Sequence, residues 1–363
     1  MKPRISRKLH PSKYSSCGKV PRSFLEDMIF KNLGSQRSEV VVGPGIGVDA
    51  SVVKIGADKV LASTADPLSL VPALGPEDSA WMSVNLIASD LATTGLTPQY
   101  ALFDLNLSPG MNLGFLSRYW KAISMECSRL GTAIIGGHTG KFEGIDSTVV
   151  GGGFMLATGE SESCLYPRSA RNGDLIILTK GAAISTTGIL SRIFPNKISK
   201  ILGKRKLHRA QKYFKLIPAV EDVVAAVSGG VKHSGVTAMH DVAEGGVLGA
   251  LYELAAASSL GLLVQRESIH VSEESRSVCD VFGIDPHRTL GEGAMLIACH
   301  PGKSDTVLEN LARKGTEAWI IGQLRKPEFG IKINENGRIR PIVYPTPDPY
   351  WDAYVFAMRS KWD

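Results

Sequence analysis

The 30 residues from Val40 to Ser69, VVVGPGIGVDASVVKIGADKVLASTADPLS, are mostly apolar or small, yet they place Asp49 and Asp66 at the edges of strand-like runs. Gly43, Gly45 and Gly47 precede Asp49, and backbone without a Cβ can approach a ligand closely. A third carboxylate, Asp90, follows in NLIASD together with Asn85, five residues before it and only roughly on the same helical face. Carboxylates on separate elements in small-residue surroundings suit hard cations, and Mg²⁺ commonly bridges a few such groups to substrate phosphates. Taken singly, an aspartate after a glycine loop is equally a turn former, and one on a helix is ordinarily solvated.

Two further stretches carry reactive side chains. AIIGGHTG, residues 133–140, runs a strand into Gly136 and Gly137 and then presents His138 and Thr139. A histidine there can transfer a proton, donate to a phosphate, or be satisfied by turn carbonyls. MHDVAEGGVLGALYELA places Asp241 before Gly245 and Gly246 at the start of a well-patterned helix, whose N-terminal amides favour an anion. The alternative is that Asp241 and Glu244 simply complement the helix dipole. Neither a Walker sequence nor a G-x-G-x-x-G turn in a βαβ unit is present.

These groups must be held by alternating elements. KVLASTADP and PQYALFDLNLS read as strands, and DSAWMSVNLIASDLATTG as a helix with Asp78 or Ser79 as N-cap and Gly95 as stop. LGFLSRYWKAISMECSRLG is a second amphipathic helix closed by Gly131, followed by strands in TAIIGG and STVVGGGFMLATG. After the polar cluster YPRSARNGD a new unit begins at LIILTKG. Later come a helix in IPAVEDVVAAVSGG, the VTAMHD strand, strands GLLVQRE and GAMLIACH, a helix around KSDTVLENLARKG, and strands near WIIGQL and FGIKIN. Short connections argue for α/β or α+β layering in each half. The expected organisation is a mobile basic tail over 1–22, an N-terminal domain over 23–168, a C-terminal domain over 169–345 and an aromatic tail over 346–363 that packs back on the body.

The 363 residues exceed what a single core usually supports. No apolar run reaches membrane-spanning length and no secretory leader is evident, so a cytoplasmic protein is expected. Five scattered cysteines show no disulfide or zinc spacing; Cys17 alone sits among small polar neighbours. The net charge of +6 is localised, with seven basic residues in 1–22, nine in 192–215 and no acids among the latter. Without these the chain holds 25 basic against 35 acidic residues, a body ill suited to tracking phosphates. The 192–215 run reads as a charged surface helix broken near Gly203 or, alternatively, as a nucleic-acid or acidic-partner surface.

In this order, GPGIGVDASVV, STADP, WMSVNLIASDLATTGLTP, IIGGHTG, HDVAEGGVLGALYEL and FGIDPHRTLGEGAMLIA resemble the aminoimidazole ribonucleotide synthetase (PurM-like) superfamily, from about residue 18 to 300. Within it the similarity is closest to the HypE-related hydrogenase maturation proteins, and the helix around Asn85 also resembles thiamine-monophosphate kinase. The resemblance implies a two-domain α/β (α+β) fold, with an N-terminal domain whose strands close a β-barrel between two subunits and a C-terminal α/β sandwich. It implies ATP in a groove of the N-terminal domain, lined by Gly45, Gly47, Asn85, Gly136, Gly137 and Thr139, with phosphates held through Mg²⁺ by Asp49, Asp66 and Asp90. It gives catalytic roles to His138, Asp241 and Lys19, the last beside Gly18 in a segment that covers the site in relatives.

The implied chemistry is phosphate transfer from ATP to a poor leaving oxygen of a carboxamide-like acceptor, in a homodimer with no membrane attachment. HypE carries its substrate on a C-terminal cysteine, whereas this sequence ends FAMRSKWD, which points to another acceptor. The competing readings are a small-molecule kinase like thiamine-monophosphate kinase and a nucleotide-binding regulatory or assembly protein without turnover.

Overall fold

The computed structural model describes residues 17–144, 148–344 and 347–363. A single turn, α1 (Arg22–Phe24), leads into β1 (Val40–Val42), β2 (Ser51–Lys54), β3 (Lys59–Ser69), α2 (Gly75–Ala92), β4 (Tyr100–Leu107), α3 (Leu113–Leu130), β5 (Ala133–Lys141) and β6 (Val149–Glu160). These strands form an open six-stranded sheet in the order β1-β2-β3-β6-β4-β5, antiparallel except for the β4/β5 pair. Alternation along β3 turns Val60, Ala62, Thr64 and Leu68 inward, where α2 covers them. Asp66 shares that inward register, so the carboxylate is delivered to the helix side of the sheet rather than to solvent.

The helix α2 begins at Gly75, three or four residues ahead of the expected cap. Pro76 fits its first turn, where the missing N–H costs nothing. Asp78 instead pairs with Arg192, and the Ser79 hydroxyl accepts from the Val71 amide at 3.0 Å. The α3 helix matches its reading: Asn112 caps the start, accepting from the Phe115 amide, and Gly131 closes it at φ 73°.

After the 161–174 linker the second half contains β7 (Leu175–Thr179), α4 (Ile184–Ile193), α5 (Pro195–Leu202), α6 (Lys204–Gln211), α7 (Val220–Val227), β8 (Val236–Asp241) and α8 (Gly246–Ser258). It continues with β9 (Gly261–Gln265), α9 (Glu273–Phe282), β10 (Met295–Cys299), α10 (Ser304–Arg313), β11 (Ala318–Arg325), β12 (Ile331–Glu335), β13 (Arg338–Pro341) and α11 (Pro349–Arg359). The seven strands run β13-β12-β9-β11-β7-β10-β8, with β8 at one edge. Every residue of β8 is buried, because the α8 side and the first domain's core cover its two faces. Two of the helices, α4 and α9, lie between the segments read from sequence; α9 buries Ser275, Val278 and Cys279 at helical spacing.

The 192–215 segment is a helical hairpin, α5 and α6, broken at Gly203 with φ 82°. Four of its nine basic residues meet carboxylates: Arg192 and Lys215 meet Asp78, Lys206 meets Glu273, and Arg209 reaches Glu273 and Glu274. The aromatic tail does pack back, as α11, with Lys197 lying 4.3 Å from the Trp362 ring centroid and Asp363 accepting from the Asn196 and Lys197 amides. Residues 1–16 of the expected mobile tail lie outside the described residues. Within 17–22, Arg22 donates to the Tyr252 hydroxyl at 2.6 Å, and its guanidinium lies 5.7 Å from that ring. No helix among the described residues is long and apolar enough to cross a membrane.

Candidate active site at the domain junction

The acids singled out from sequence converge where the first domain meets β8 and α8. Asp49 lies two residues before β2, and its carboxylate accepts from the Asp241 amide at 3.3 Å. The Thr64 hydroxyl on β3 lies 2.8 Å from the Asp49 carbonyl and 3.4 Å from the Asp90 carboxylate of α2. Asp66 is two residues along the same face of β3. Three sequence-remote carboxylates therefore surround Asp241, the last residue of β8.

Between them sits a residue the sequence reading passed over. His240 is 2% exposed, with Nδ1 at 3.1 Å from Asp49 and 3.3 Å from Asp241, and Nε2 at 3.4 Å from Glu253 of α8. Neither ring nitrogen makes a well-aligned hydrogen bond, although carboxylates face both. Burial opposes that charge, but Asp49, with Asp241 and Glu253, outweighs it and holds the His240 pKa well above its ordinary value. Burial likewise opposes the ionised Glu253, yet His240 and Lys19 pull its carboxyl down to about 2.

Lys19 enters from the N-terminal segment. Its amide donates to Glu244 at 2.7 Å, its ammonium reaches Glu253 at 3.4 Å, and its pKa is raised despite burial by Glu253 and then Asp241. Tyr344 donates to Glu253 at 2.7 Å, and the Trp351 indole donates to Glu244 at 3.0 Å. At the N-terminus of α8, the Gly245 amide donates to Asp348 at 2.7 Å.

The first-domain acids are left short of countercharge. Burial, then repulsion by Asp241, raises Asp66 to about 7. Burial followed by Asp241, Asp66 and Asp49 raises Asp90 well above the carboxylate range. Burial raises Asp49 to about 6 even though His240 pulls the other way. Glu292, to which the Ser185 hydroxyl donates, is pushed by burial to about 8. Carboxylates that resist ionising together accept a divalent cation readily, because the ion replaces the missing positive charge. Carboxylate oxygens of Asp49 and Asp241 lie within 4.8 Å of each other and of a His240 ring nitrogen, close enough for the two acids to share an ion. The oxygen-rich surroundings fit a hard cation, with His240 serving as a built-in countercharge.

Other expected residues fall elsewhere. Asn85 points away from the acids: its amide donates to Glu126 of α3 at 2.8 Å and to the Trp81 carbonyl at 2.9 Å, so it packs two helices. Five residues on a helix turn the side chain by about 140° from Asp90. Gly47 serves packing, since a Cβ there would lie 2.2 Å from the Glu253 carbonyl oxygen, at φ 75°. Gly45 has space beside it, with Val48 Cγ2 at 3.4 Å from an added Cβ. His138, Gly136, Gly137 and Thr139 are exposed on β5, the edge strand, with β6 and β4 between them and β3. His138 neighbours Phe142, with ring centroids 6.4 Å apart, and the chain does not bring it to the acid cluster.

Glu253 was readable in principle as the one acid in the otherwise apolar helix GVLGALYELAAAS. His240 was not: in a strand buried on both faces, the inward and outward positions look alike.

A two-domain α/β fold with carboxylates gathered at the domain junction defines the class. The chain matches the AIR synthase related protein N-terminal domain over residues 47–157 and the C-terminal domain over 171–333, and it belongs to this PurM-like family. It is 27% identical to a putative hydrogenase expression/formation protein of Methanocaldococcus jannaschii, over 92% of this chain and 96% of that one. It is 26% identical to the carbamoyl dehydratase HypE of Cupriavidus necator, over 76% of this chain and 75% of the relative. Among solved structures, a hydrogenase maturation protein HypE in complex with ATP superposes with a TM-score of 0.65 at 18% identity, covering 93% of this chain and 98% of that one.

Proposed function

We propose that the protein is an ATP-dependent enzyme of the PurM type that requires Mg²⁺ and transfers or uses the ATP phosphate on a small acceptor oxygen. The observation that carries this reading is the convergence of Asp49, Asp66, Asp90 and Asp241 with too few cations to neutralise them. HypE and related enzymes act with ATP, and this chain shares their fold and much of their length. Asp49, Asp66 and Asp90, joined by Asp241, would hold the Mg²⁺ that spreads charge from a transferring phosphoryl group. Lys19, already at the rim, supplies a positive charge towards the phosphates. His240, with Nδ1 facing both carboxylates, fixes the direction of Asp49 and Asp241. The dimer expected of the family would use the outer face of the first sheet, where Tyr100, Ile135 and Phe154 are exposed.

The test is ATP hydrolysis with and without Mg²⁺, alone and with carboxamide or alcohol acceptors. Mg²⁺-dependent release of phosphate, abolished in Asp66→Asn, supports the enzyme. Tight binding of ATP with no turnover under any condition would favour the second reading, a nucleotide-binding assembly protein. One observation favours that reading: Asp348 already occupies the Gly245 amide that an incoming phosphate would use. A small-molecule kinase would be separated from both by a stable phosphorylated product.

A further inference from the structure

At the opposite end of β8 from Asp241, the charges reverse. The turn before the strand carries Lys232 and His233, and the interdomain linker faces them with Arg168 and Arg171. Together with Glu162, Tyr166 and Ser169 they line a cleft of 320 Å³, open to solvent. The six residues of β8 separate this cleft from the acid cluster by about 20 Å at the usual rise per strand residue.

The cleft is built rather than incidental. Gly230 has φ 112°, and a Cβ on Gly235 would lie 2.0 Å from the Gly230 carbonyl oxygen, so two backbone segments press together to form the turn. Lys232 adopts φ 55°, a left-handed conformation that side-chain-bearing residues rarely take and that is often kept where a side chain must be aimed. Its ammonium donates to the Ser161 carbonyl at 2.6 Å, which fixes it across from the linker. The Arg171 guanidinium approaches the His233 ring nitrogens at 2.8 and 3.1 Å, while its amide donates to Asp174 at 2.8 Å. Among the described residues, no carboxylate lies at ion-pair distance from Arg168, Arg171 or Lys232. This contrasts with the basic hairpin, where Arg192, Lys206, Arg209 and Lys215 all have acidic partners.

We propose that this cleft binds a small phosphomonoester dianion, with Arg168, Arg171 and Lys232 gripping the phosphate and Ser169 and Glu162 taking hydroxyl groups beside it. Arginine matches the phosphate oxygens in paired geometry, and lysine adds a point charge. The volume exceeds a bare phosphate, and the polar lining suits a hydroxylated carrier rather than an apolar one. The site is separate from the nucleotide groove and does not depend on that reading.

The test is calorimetry of the full chain in EDTA, titrated with inorganic phosphate and with ribose 5-phosphate. EDTA removes divalent ions, so the acid cluster repels both probes. Saturable binding of ribose 5-phosphate, at least tenfold weaker for inorganic phosphate and at least tenfold weaker in Arg171→Gln, is the expected result. Arg168→Gln should show the same loss, Asp66→Asn should bind as the parent does, and unchanged thermal melting of the variants would exclude misfolding. Equal affinity for both probes would make the ligand free phosphate and overturn the carrier part. No saturable binding of either probe, or a loss in Asp66→Asn equal to that in Arg171→Gln, would overturn the proposal as a whole.

Discussion

Two charged regions of this chain behave in opposite ways. The 192–215 hairpin is the most conspicuous charge feature of the sequence, with nine basic residues and no acid. In the fold its cations disperse over the surface and find carboxylates on α2 and α9. The acids Asp49, Asp66 and Asp90 form no charge run in the sequence, yet the fold draws them together with Asp241 and leaves their charge unbalanced. A linear charge count therefore misplaces the electrostatic centre of the molecule. What matters is whether folding supplies a partner, because exposed pairs are screened and weak while buried like charges are not.

That contrast can be broken, beginning with the largest expected effect. Replacing His240 with Ala removes the ring that lies between Asp49, Asp241 and Glu253, and leaving buried charges unpaired typically costs about 3–5 kcal/mol. Urea unfolding should show that loss, partly restored by millimolar Mg²⁺ as the ion takes over the countercharge; no change in midpoint would mean His240 is merely packed.

Next in size, Asp90→Asn or Asp66→Asn should weaken Mg·ATP binding by roughly tenfold or more, since each removes a negative ligand from a divalent ion. Calorimetry giving parental affinity in both variants would disconnect these acids from the metal.

A milder effect separates the two regions by pH. Asp49 and Asp66 have folded-state values raised to about 6 and about 7, so between about pH 4 and pH 7 the native state binds more protons than the unfolded chain. Stability from these groups is present at low pH and is lost as pH rises through 6 and 7. In the absence of divalent ions the melting temperature should fall across that window, and Mg²⁺ should flatten the slope. A metal-free melting temperature that rises over the same range, with no Mg²⁺ effect, would contradict the picture of strained acids.

Smallest of all, neutralising Lys204, Arg205 and Lys206 together should leave nucleotide affinity and the unfolding midpoint unchanged, because the Lys206–Glu273 pair is exposed. Salt-sensitive RNA binding that disappears in this triple variant would instead restore the hairpin as a nucleic-acid surface.

Much of the architecture was legible in advance. Alternation marked β3 and β4, the 3.6-residue period and Gly131 bounded α3, and Gly203 marked the break in the hairpin. The site was legible only in part. Asp49, Asp66 and Asp241 stood out beside glycines and at strand ends, and Asp90 on the helix after them, whereas Asn85 shared that helix but turned to Glu126 on α3. His138 shared their polar character, yet β5 took it to the far edge of the sheet, with β6 and β4 between it and β3.

The sequence by itself determined the elements, their order and the acids they carry, because hydrophobic period, caps and glycine turns act over a few residues. Only tertiary structure decided who meets whom: the Lys19 amide reaches Glu244 across 225 residues, and the Asp241 amide reaches Asp49 across 192. The physical reason is that local preferences set which face a side chain occupies on its own element, while the field around that side chain depends on the other elements folding against it.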